Sequence, residues 1–395
     1  MSRDYKAIFE QGVNRENSNA TKWDNRLSSF GKADIVPMWI ADTDFPTPQE
    51  VIDALVARAQ HGAFGYSAGK SGDKAACVRW MQHRHGVEGL SEEMLMFTPG
   101  VVDGLYMAVL ALTEPGDKVA IQPPVYGPFH MVTTKAGREL YYNHLKCDEN
   151  GRYTMDLENL EEGLKQGVKM LILCSPHNPV GRVWTEQELT DLVALMNRYN
   201  AVILSDEIHA DLILPGHKHT SLCRVPGAES ALVCVAPSKT FNLAGLHHSF
   251  MIIRDEKERE VITAKAKECG LAGSSLFGEV ACAAAYTHGE PWLNAQNEYI
   301  DENRKFVEEY MAANVPDVKV TRIEGTFLIW LDFTAWGRSE AELKELLVRS
   351  GVGMNGGSFF GKEYSTFCRM NIGTPRFNVE KGLAAIKAAY DEVHA

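Results

Sequence analysis

The stretch Ala231-Leu-Val-Cys-Val-Ala236 and its continuation Pro237-Ser-Lys-Thr-Phe-Asn242 decide the fold, and Lys239 is the residue around which the chain is organised. The first half is apolar enough for a buried strand, which Pro237 ends. An apolar floor beneath a lysine lowers the pKa of its ammonium group and frees the amine to attack a carbonyl. The alternative is an ordinary solvated loop lysine, so other segments must decide.

Two further apolar runs also end in polar residues. Residues 201–204 read as a strand that leads to Asp206, and residues 170–174 read as a strand that leads to Asn178. Open α/β sheets bind ligands at the carboxyl ends of their strands, so these side chains are expected to meet in one crevice. The alternative role of Asp206 is to cap a following helix.

The order of the apolar runs predicts an α/β fold. Strand and helix patterns alternate as far as residues 251–253, which indicates a mixed, largely parallel sheet with helices on both faces. From about residue 290 the pattern changes to a long charged helix, antiparallel strands at 318–320 and 326–331, and a further helix at 341–348. This second part is predicted to be a smaller α+β domain.

The length of 395 residues is too great for one typical core, which favours a large domain with a smaller partner. We divide the chain into an N-terminal arm with a small-domain segment at 1–45, a large domain at 46–288 and a small C-terminal domain at 289–395. Residues 351–356 spell a glycine motif of dinucleotide-binding proteins, but they follow a helix pattern, and we reject that interpretation.

The charge balance excludes several classes of partner. Lysine and arginine number 40 against 52 acidic residues, a net charge of −12, which argues against nucleic acid and anionic membranes. No apolar leader opens the chain and no run approaches the length of a membrane span. We therefore expect a cytoplasmic protein without a membrane or nucleic-acid partner.

The cysteines and histidines are not predicted to form a metal site. None of the eight cysteines forms a CxxC pair, and Cys174 and Cys234 sit in apolar runs, as buried reduced thiols of a cytosolic protein do. The histidines and acids between His209 and His219 fit no common zinc spacing, so no metal is predicted.

A lysine amine, a buried acid and a nearby amide together are what pyridoxal phosphate chemistry needs. The segments Ser175-Pro-His-Asn-Pro-Val-Gly-Arg-Val-Trp184, Ser205-Asp-Glu-Ile-His-Ala-Asp211 and Ala236-Pro-Ser-Lys-Thr-Phe241 carry a resemblance to a known family. From about Trp23 onward the chain resembles the fold-type I pyridoxal phosphate enzymes of the class I/II aminotransferase family. Within it, the chain is similar to the MalY/PatB-like branch of bacterial carbon–sulfur β-lyases, the cystathionine β-lyase type.

The resemblance implies an aspartate aminotransferase-like fold with a seven-stranded-type sheet, and it implies roles around pyridoxal 5′-phosphate. Lys239 holds the cofactor as a Schiff base, and Asp206 keeps the pyridine nitrogen protonated. Asn178 donates to the phenolic oxygen, and His209 lies near the same oxygen where many aminotransferases have tyrosine. Tyr126 stacks on the ring, a contact that contributes roughly 1 kcal/mol beyond burial.

The cofactor phosphate needs an anion site, and a helix start supplies one. Residues 98–104 read as a turn that opens a helix, whose free N–H groups and dipole favour phosphate. The predicted cradle consists of Gly100, Val101 and Val102. A plain strand–helix turn is the alternative at this place.

The resemblance implies two further residues that contact the cofactor phosphate, and it shows that one contact common in relatives is missing here. Ser238 is a further candidate, and Tyr66 matches a family tyrosine that reaches the cofactor phosphate of the partner subunit, which implies a homodimer with shared active sites. Relatives outside the branch often carry arginine eight residues after the lysine. Here that position is His247, which is the departure from the family pattern.

Arg369 is the candidate for gripping the substrate. A planar guanidinium binds a carboxylate through two parallel hydrogen bonds, and the family match assigns the α-carboxylate of an amino acid to Arg369. The match also brings the backbone near Ala41 to this carboxylate. The alternatives are a solvated surface arginine and a simple interdomain strand.

The activity implied by the branch is β-elimination of a sulfur amino acid, cystathionine or a cysteine-type substrate, to pyruvate, ammonia and a thiol. Lys239 takes the Cα proton, and Lys239 or a nearby tyrosine protonates the leaving thiolate. An aminotransferase shares all these residues and stays open, as does a regulator-binding protein without a DNA-binding module. Cystathionine, cysteine, cystine and a methylated relative stay open as substrates, because the choice depends on loops such as 271–277.

Overall fold

The structure is a computed structural model that describes residues 3–271 and 273–395. Ala272 belongs to the 271–277 loop, which is predicted to shape the thiol side of the substrate site, and this residue lies outside the described part.

Short strands make up two main sheets and two smaller pairs. In chain order they are β1 (Val36–Pro37), β2 (Leu95–Thr98), β3 (Lys118–Ile121), β4 (Glu139–Tyr142), β5 (Lys146–Cys147), β6 (Tyr153–Thr154), β7 (Val168–Cys174), β8 (Val202–Asp206), β9 (Leu232–Val235), β10 (Ser249–Ile253), β11 (Lys319–Val320), β12 (Leu328–Asp332), β13 (Val352–Gly353), β14 (Asn355–Gly356) and β15 (Phe367–Asn371).

Helices alternate with these strands through most of the chain. They are α1 (Tyr5–Gln11), α2 (Thr21–Asp24), α3 (Arg26–Phe30), α4 (Gln49–Gln60), α5 (Asp73–His85), α6 (Val101–Leu112), α7 (Pro128–Lys135), α8 (Leu157–Lys165), α9 (Glu186–Arg198), α10 (Pro237–Thr240), α11 (Glu256–Glu268), α12 (Leu276–His288), α13 (Glu290–Asn314), α14 (Glu340–Ser350) and α15 (Arg376–Val393). Within the described residues, none of the helices has both the length and the apolar character that a membrane crossing requires.

The large sheet has seven strands in the order β2-β10-β9-β8-β7-β3-β4. Only β10 runs against its neighbours in this sheet, since the other pairings are parallel. The prediction of a mixed, mostly parallel sheet is therefore confirmed. Parallel strands β7, β8 and β9 end side by side, with Cys174 opposite Asp206 and Asp206 opposite Cys234.

Strand β7 shows why this sheet is buried on both faces. Met170 and Ile172 belong to the apolar cluster formed with α6, α7 and α11, whereas Leu171 and Leu173 belong to the cluster that contains residues of α8, α9 and α12. All four side chains are fully buried. Burial of each such side chain stabilises the fold by about 1.5–3 kcal/mol. Because successive side chains point to opposite faces and both faces are covered, the strand appears in the sequence as one continuous apolar run.

The remaining main sheet is antiparallel, in the order β11-β12-β15-β14, and it matches the smaller α+β unit predicted for the end of the chain. The first residues of the chain join this region. Helix α1 packs against α13, and β1 pairs in parallel with β13, with Val36 opposite Val352. The division at residues 45 and 288 stays a prediction.

Lys239 lies just beyond a buried strand, as predicted, but in a helical turn and not in a solvated loop. Residues 237–240 form the helical turn α10, with Pro237 at its first position. Proline suits that position because its fixed φ angle matches a helix and its missing N–H is not needed there. The turn holds the lysine backbone rigidly beyond the end of β9.

Candidate active site

A cavity of about 330 Å³ lies beyond the carboxyl ends of β7, β8 and β9, where the sheet topology brings polar side chains together. It is lined by Ala41, Pro99, Gly100, Val101, Val102, Asp103, Tyr126, Cys174, Asn178, Asp206, Ile208, His209, Ser238, Lys239, Ala244, His247, His248 and Ser249. We call this space the reaction cavity.

Lys239 presents its amine to the reaction cavity. Its Nζ donates a hydrogen bond to the carbonyl oxygen of Ala41 at 2.8 Å, which joins the helical turn α10 to the N-terminal segment. Burial lowers the pKa of Lys239, and the negative charge of Asp42 opposes that effect. A lysine with a lowered pKa and a single neutral acceptor is prepared to act as a free amine.

Asp206 closes the floor of the cavity at the end of β8. Its Oδ1 accepts a hydrogen bond from the backbone N–H of Ile208 at 3.0 Å, and among the described residues its other oxygen receives none. Burial raises the pKa of Asp206 to about 7, against the opposing effects of the Ile208 N–H and of Lys239. The free oxygen is therefore an acceptor site for a cationic N–H group.

Arg369, on β15, reaches the site from the small-domain sheet. Its guanidinium donates to Asn178 Oδ1 at 3.0 Å, to the Trp39 carbonyl at 2.8 Å and to Asn355 Oδ1 at 2.9 Å, and it lies 4.9 Å from the ring centre of Phe360. Burial lowers its pKa to about 10, so the group stays charged at neutral pH.

This guanidinium lacks a counter-ion of its own. Within residues 3–271 and 273–395 no carboxylate lies within ion-pair distance of Arg369, and its buried Nε has no hydrogen-bond partner. An unpaired buried charge is costly, so the arrangement favours an external anion. A carboxylate that binds a guanidinium through two parallel bonds satisfies this requirement.

Tyr126 and His209 supply the aromatic and imidazole walls. Tyr126 is half-buried and contacts Phe359 edge to face, with ring centroids 6.0 Å apart. His209 is 3% exposed, and its Nδ1 has no hydrogen-bond partner. Burial first, and then the positive charges of Lys239 and Arg369, lower the pKa of His209 to about 3, so its imidazole is neutral.

The start of α6 also lines the cavity, and it offers hydrogen-bond donors where Asp206 offers acceptors. Gly100 is the residue before the helix, and among the described residues no side chain caps it. Val101 and Val102 follow as the first helical residues, and Ser238 lines the same cavity. The free N–H groups of a 12-residue helix and the hydroxyl of Ser238 make this end suitable for a phosphate.

These groups fit pyridoxal phosphate. Asp206 offers an unused carboxylate oxygen to a protonated ring nitrogen, Tyr126 offers an aromatic face, and Lys239 offers an amine. The uncapped helix start at Gly100 suits the phosphate. The orphaned Nδ1 of His209 is a polar atom that a bound group would satisfy.

The structure brings most of the predicted site residues into one place. Ala41, Gly100, Val101, Val102, Tyr126, Asn178, Asp206, His209, Ser238 and Lys239 all line the reaction cavity. Arg369 lies beside it through its contact with Asn178. Tyr66 does not line the cavity of its own chain and is fully exposed, so its role across a dimer stays a prediction.

The sequence analysis missed three residues that hold parts of the site in position. The side chain of Asn355 and the carbonyl of Trp39 hold Arg369, and Arg15 binds Asp42 through two hydrogen bonds of 2.8 Å beside the Ala41 segment. Asn355 sits inside the 351–356 glycine motif, whose spelling was the only signal in the sequence.

Comparison with known proteins agrees with this geometry. The family model "Aminotransferase class I and II" matches residues 33–386. The cystathionine β-lyase PatB of Bacillus subtilis (strain 168) is 41% identical over 385 residues, 96% of this chain and 99% of PatB. Protein MalY of Escherichia coli (strain K12) is 31% identical over 382 residues, 96% of this chain and 97% of MalY.

A solved structure extends the comparison to three dimensions. Cystalysin from Treponema denticola, whose crystal structure contains a pyridoxal 5′-phosphate cofactor, superimposes with a TM-score of 0.94 at 31% identity. The match covers 99% of this chain and 100% of cystalysin. The predicted resemblance is confirmed: the chain belongs to the class I and II aminotransferase family.

Proposed function

We propose that the protein is a pyridoxal phosphate-dependent carbon–sulfur β-lyase that converts cystathionine or a cysteine-type substrate to pyruvate, ammonia and a thiol. The observation that carries the proposal is that a free amine and an unpaired guanidinium flank one cavity: Lys239 lines it, and Arg369 is linked to its wall by Asn178. The likeness to PatB, itself a cystathionine β-lyase, supports the lyase over other reactions of the family.

Arg369 orients the substrate in this proposal. Its two terminal nitrogens are already spread between Asn178, Asn355 and the Trp39 carbonyl, so the plane of the guanidinium is fixed before a substrate arrives. A carboxylate bound there places the adjacent Cα toward Lys239. Fixed geometry of this kind replaces a search through orientations and contributes to the rate.

Lys239 moves the proton. Pyridoxal phosphate, when bound, supplies an electron-accepting ring that makes the Cα proton acidic. The Nζ of Lys239 takes that proton, the electron pair of the Cα–H bond becomes a Cα–Cβ double bond, and the Cβ–S bond breaks with its pair on sulfur. The sulfur takes a proton from the Lys239 ammonium, and water then converts the remaining fragment to pyruvate and ammonia.

The other cavity residues adjust charge. Asp206 would place a negative charge beside the protonated ring nitrogen of the cofactor. Its raised pKa in the free protein shows how strongly burial disfavours that charge without a cationic partner. His209 stays neutral beside Lys239, so it does not add to the positive charge that Arg369 already provides. The start of α6 anchors the phosphate.

Support for a homodimer comes from the loop between α4 and α5. Tyr66 is fully exposed and Phe64 is more than half exposed, although both are large aromatic residues. Exposed aromatic residues on one loop are typical of an interface. In the proposed dimer Tyr66 reaches the phosphate end of the partner's cavity. We also place the protein in the cytoplasm, since its eight cysteines are free thiols.

The test is pyruvate formation by the cofactor-loaded protein from L-cystathionine, with no keto acid present. Pyruvate that accumulates over many turnovers supports the lyase. A reaction that stops after one equivalent and resumes on addition of a keto acid identifies an aminotransferase instead, and it overturns the proposal. Pyruvate is measured with a coupled dehydrogenase, and the stop is measured by absorbance of the cofactor.

A further inference from the structure

A second cavity of about 580 Å³ lies beside the reaction cavity, between the start of α7 and a loop of the small-domain region. We call it the distal cavity. It is lined by Gly127, Pro128, His130, Met131, Tyr142, His144, Ser358, Phe359, Gly361, Lys362 and Glu363. None of these residues was assigned a role by the sequence analysis.

The two cavities share a thin wall. Tyr126 lines the reaction cavity and its neighbour Gly127 lines the distal cavity, while Phe359 lines the distal cavity and contacts the ring of Tyr126 edge to face. A Cβ at Gly127 would lie 2.7 Å from the carbonyl oxygen of Phe359, so the glycine allows the two segments to touch. Tyr126, Gly127 and Phe359 therefore form the boundary that a substrate arm has to pass to reach the distal cavity.

Part of the wall of the distal cavity consists of apolar side chains that are exposed to water. Met131, Tyr142 and Phe359 are 44–45% exposed, and all three line this one cavity. Burial of methylene groups against such side chains favours binding. These side chains suit a short aliphatic chain.

The rim of the same cavity carries both signs of charge. Lys362 lines it with a positive charge, and Glu363 lines it with a negative charge that meets Nδ1 of His144 at 2.8 Å. His130 completes the rim, and burial lowers its pKa, so its imidazole is neutral and accepts or donates a hydrogen bond. Two opposite charges over an apolar floor match a ligand end that also bears both charges.

We propose that the distal cavity binds the far end of a thioether substrate when that end is an α-amino acid zwitterion, as in cystathionine. The inference rests on the proposed lyase function and names the part of the molecule that selects among its substrates. Glu363 accepts the distal ammonium and Lys362 binds the distal carboxylate, while Met131 and Tyr142 contact the methylenes between sulfur and that end.

The observations favour a zwitterion over the other classes of ligand end. A purely anionic end is opposed by Glu363, and a purely cationic end is opposed by Lys362. An uncharged alkyl end fills the apolar floor but gains nothing from the rim. Cysteine itself has no arm that extends beyond its sulfur, so it leaves the cavity empty.

The experiment compares two substrates of equal arm length, L-cystathionine and S-butyl-L-cysteine, in the cofactor-loaded enzyme. The variant is the double substitution Lys362→Gln and Glu363→Gln, which keeps both side-chain shapes and removes both charges. The matched control is Lys387→Gln, which removes a partly buried lysine of α15 that pairs with Asp391 and lines neither cavity. Circular dichroism and cofactor absorbance verify that each variant is folded and loaded.

We expect the ratio of kcat/KM for cystathionine to kcat/KM for S-butylcysteine to fall at least tenfold in the double variant and to stay unchanged in Lys387→Gln. Hydrogen bonds to charged groups have strengths that correspond to such a change. An unchanged ratio in the double variant, whether both rates fall together or neither falls, overturns the inference alone. If the unmodified enzyme turns over neither substrate, the proposed function is overturned, and the inference with it.

Discussion

The hydroxyl of Thr240 donates a hydrogen bond to Oδ2 of Asp211 at 2.9 Å, and this contact ties the helical turn of Lys239 to the segment that follows Asp206. Asp211 also accepts from the indole of Trp80 at 3.0 Å and lies 2.8 Å from Nε2 of His85. The buried polar cluster around Asp211 thus holds in place the segments that carry Lys239 and Asp206.

Asp211→Asn is expected to destabilise the protein by about 3 kcal/mol, because it leaves the buried His85 without its ionised partner. Burial alone would raise the pKa of Asp211, but hydrogen bonding and charge from His85 hold it below its usual value. The stabilisation is therefore present above the unfolded-state pKa and is lost as the pH falls through the lower folded-state pKa. Urea unfolding at several pH values measures both effects.

The control for this change is Thr240→Val, which removes one neutral donor and is expected to cost only about 1 kcal/mol. Equal losses in the two variants would contradict the charged role of Asp211. A difference between Asp211→Asn and the unmodified protein that grows on acidification would contradict the sign.

Lys239→Ala is expected to remove the covalent cofactor absorbance and to reduce turnover by about a thousandfold or more, because the same amine takes and returns the proton. Absorbance spectra and pyruvate release measure the two effects. Turnover that survives with normal rate refutes the role of Lys239. Ala41 offers only its backbone carbonyl to this amine, so substitutions of the Ala41 side chain do not serve as a test.

Asp206→Asn is expected to stabilise the cofactor-free protein above pH 7. The folded-state pKa of Asp206 is raised from 3.8 to about 7, so the folded protein keeps a proton that the unfolded chain loses. Stability therefore falls as the pH rises from about 4 to about 7, by up to about 4 kcal/mol for three pKa units. Asparagine does not ionise and avoids this loss.

The measurement is the free energy of unfolding of both cofactor-free proteins at pH 5 and pH 8. Asp206→Asn should exceed the unmodified protein at pH 8 by more than it does at pH 5. Identical pH dependence in the two proteins would show that Asp206 does not titrate in this range. Cofactor affinity should change in the opposite direction, since the amide offers no charge to a ring nitrogen.

Arg369→Lys is expected to lower kcat/KM by about a hundredfold, mainly through KM, because an ammonium cannot form two parallel bonds with a carboxylate. Asn355→Ala should have a smaller effect in the same direction, since Arg369 keeps its contacts with Asn178 and Trp39. Initial rates over a range of substrate concentrations separate the two parameters. A lysine variant with an unchanged KM would rule out Arg369 as the carboxylate site.

Mixed dimers test the position of Tyr66. Tyr66→Ala and Lys239→Ala are each expected to be strongly impaired alone, and their mixture is expected to regain activity. In a mixed dimer with shared sites, one of the two sites combines an intact Tyr66 with an intact Lys239. If Tyr66 acts on its own chain, mixing restores nothing. Sedimentation of the unmodified protein provides the control, because a monomer would contradict the proposal directly.

Much of the fold was readable from local patterns. Strand β9 is apolar along its whole length and β7 is apolar from Met170 onward, and polar residues follow each of them, so the crevice at their carboxyl ends could be inferred. Lys239, Asp206 and Asn178 were identified this way because each lies within a few residues of its own strand.

The contacts of Arg369 were not readable because they join distant parts of the chain. Its partner Asn355 is placed by the register of β14 against β15, and its partner Trp39 comes from the N-terminal segment. The distal cavity has the same cause, since it forms only where α7 meets the 358–363 loop. The periodicity of apolar residues describes one helix or strand at a time and carries no information about contacts between distant elements.

The pairing of β1 with β13 has a consequence for synthesis on the ribosome. Val36 finds its partner only when Val352 has been made, about 300 residues later, which takes roughly 15–60 s at ordinary rates of translation. Until then Met38, which is fully buried in the finished fold, lacks its native neighbours Gly353 and Gly382. The N-terminal segment that supplies the Ala41 carbonyl is therefore among the first parts synthesised and among the last to be secured, and a nascent chain depends on chaperones or on speed to protect it.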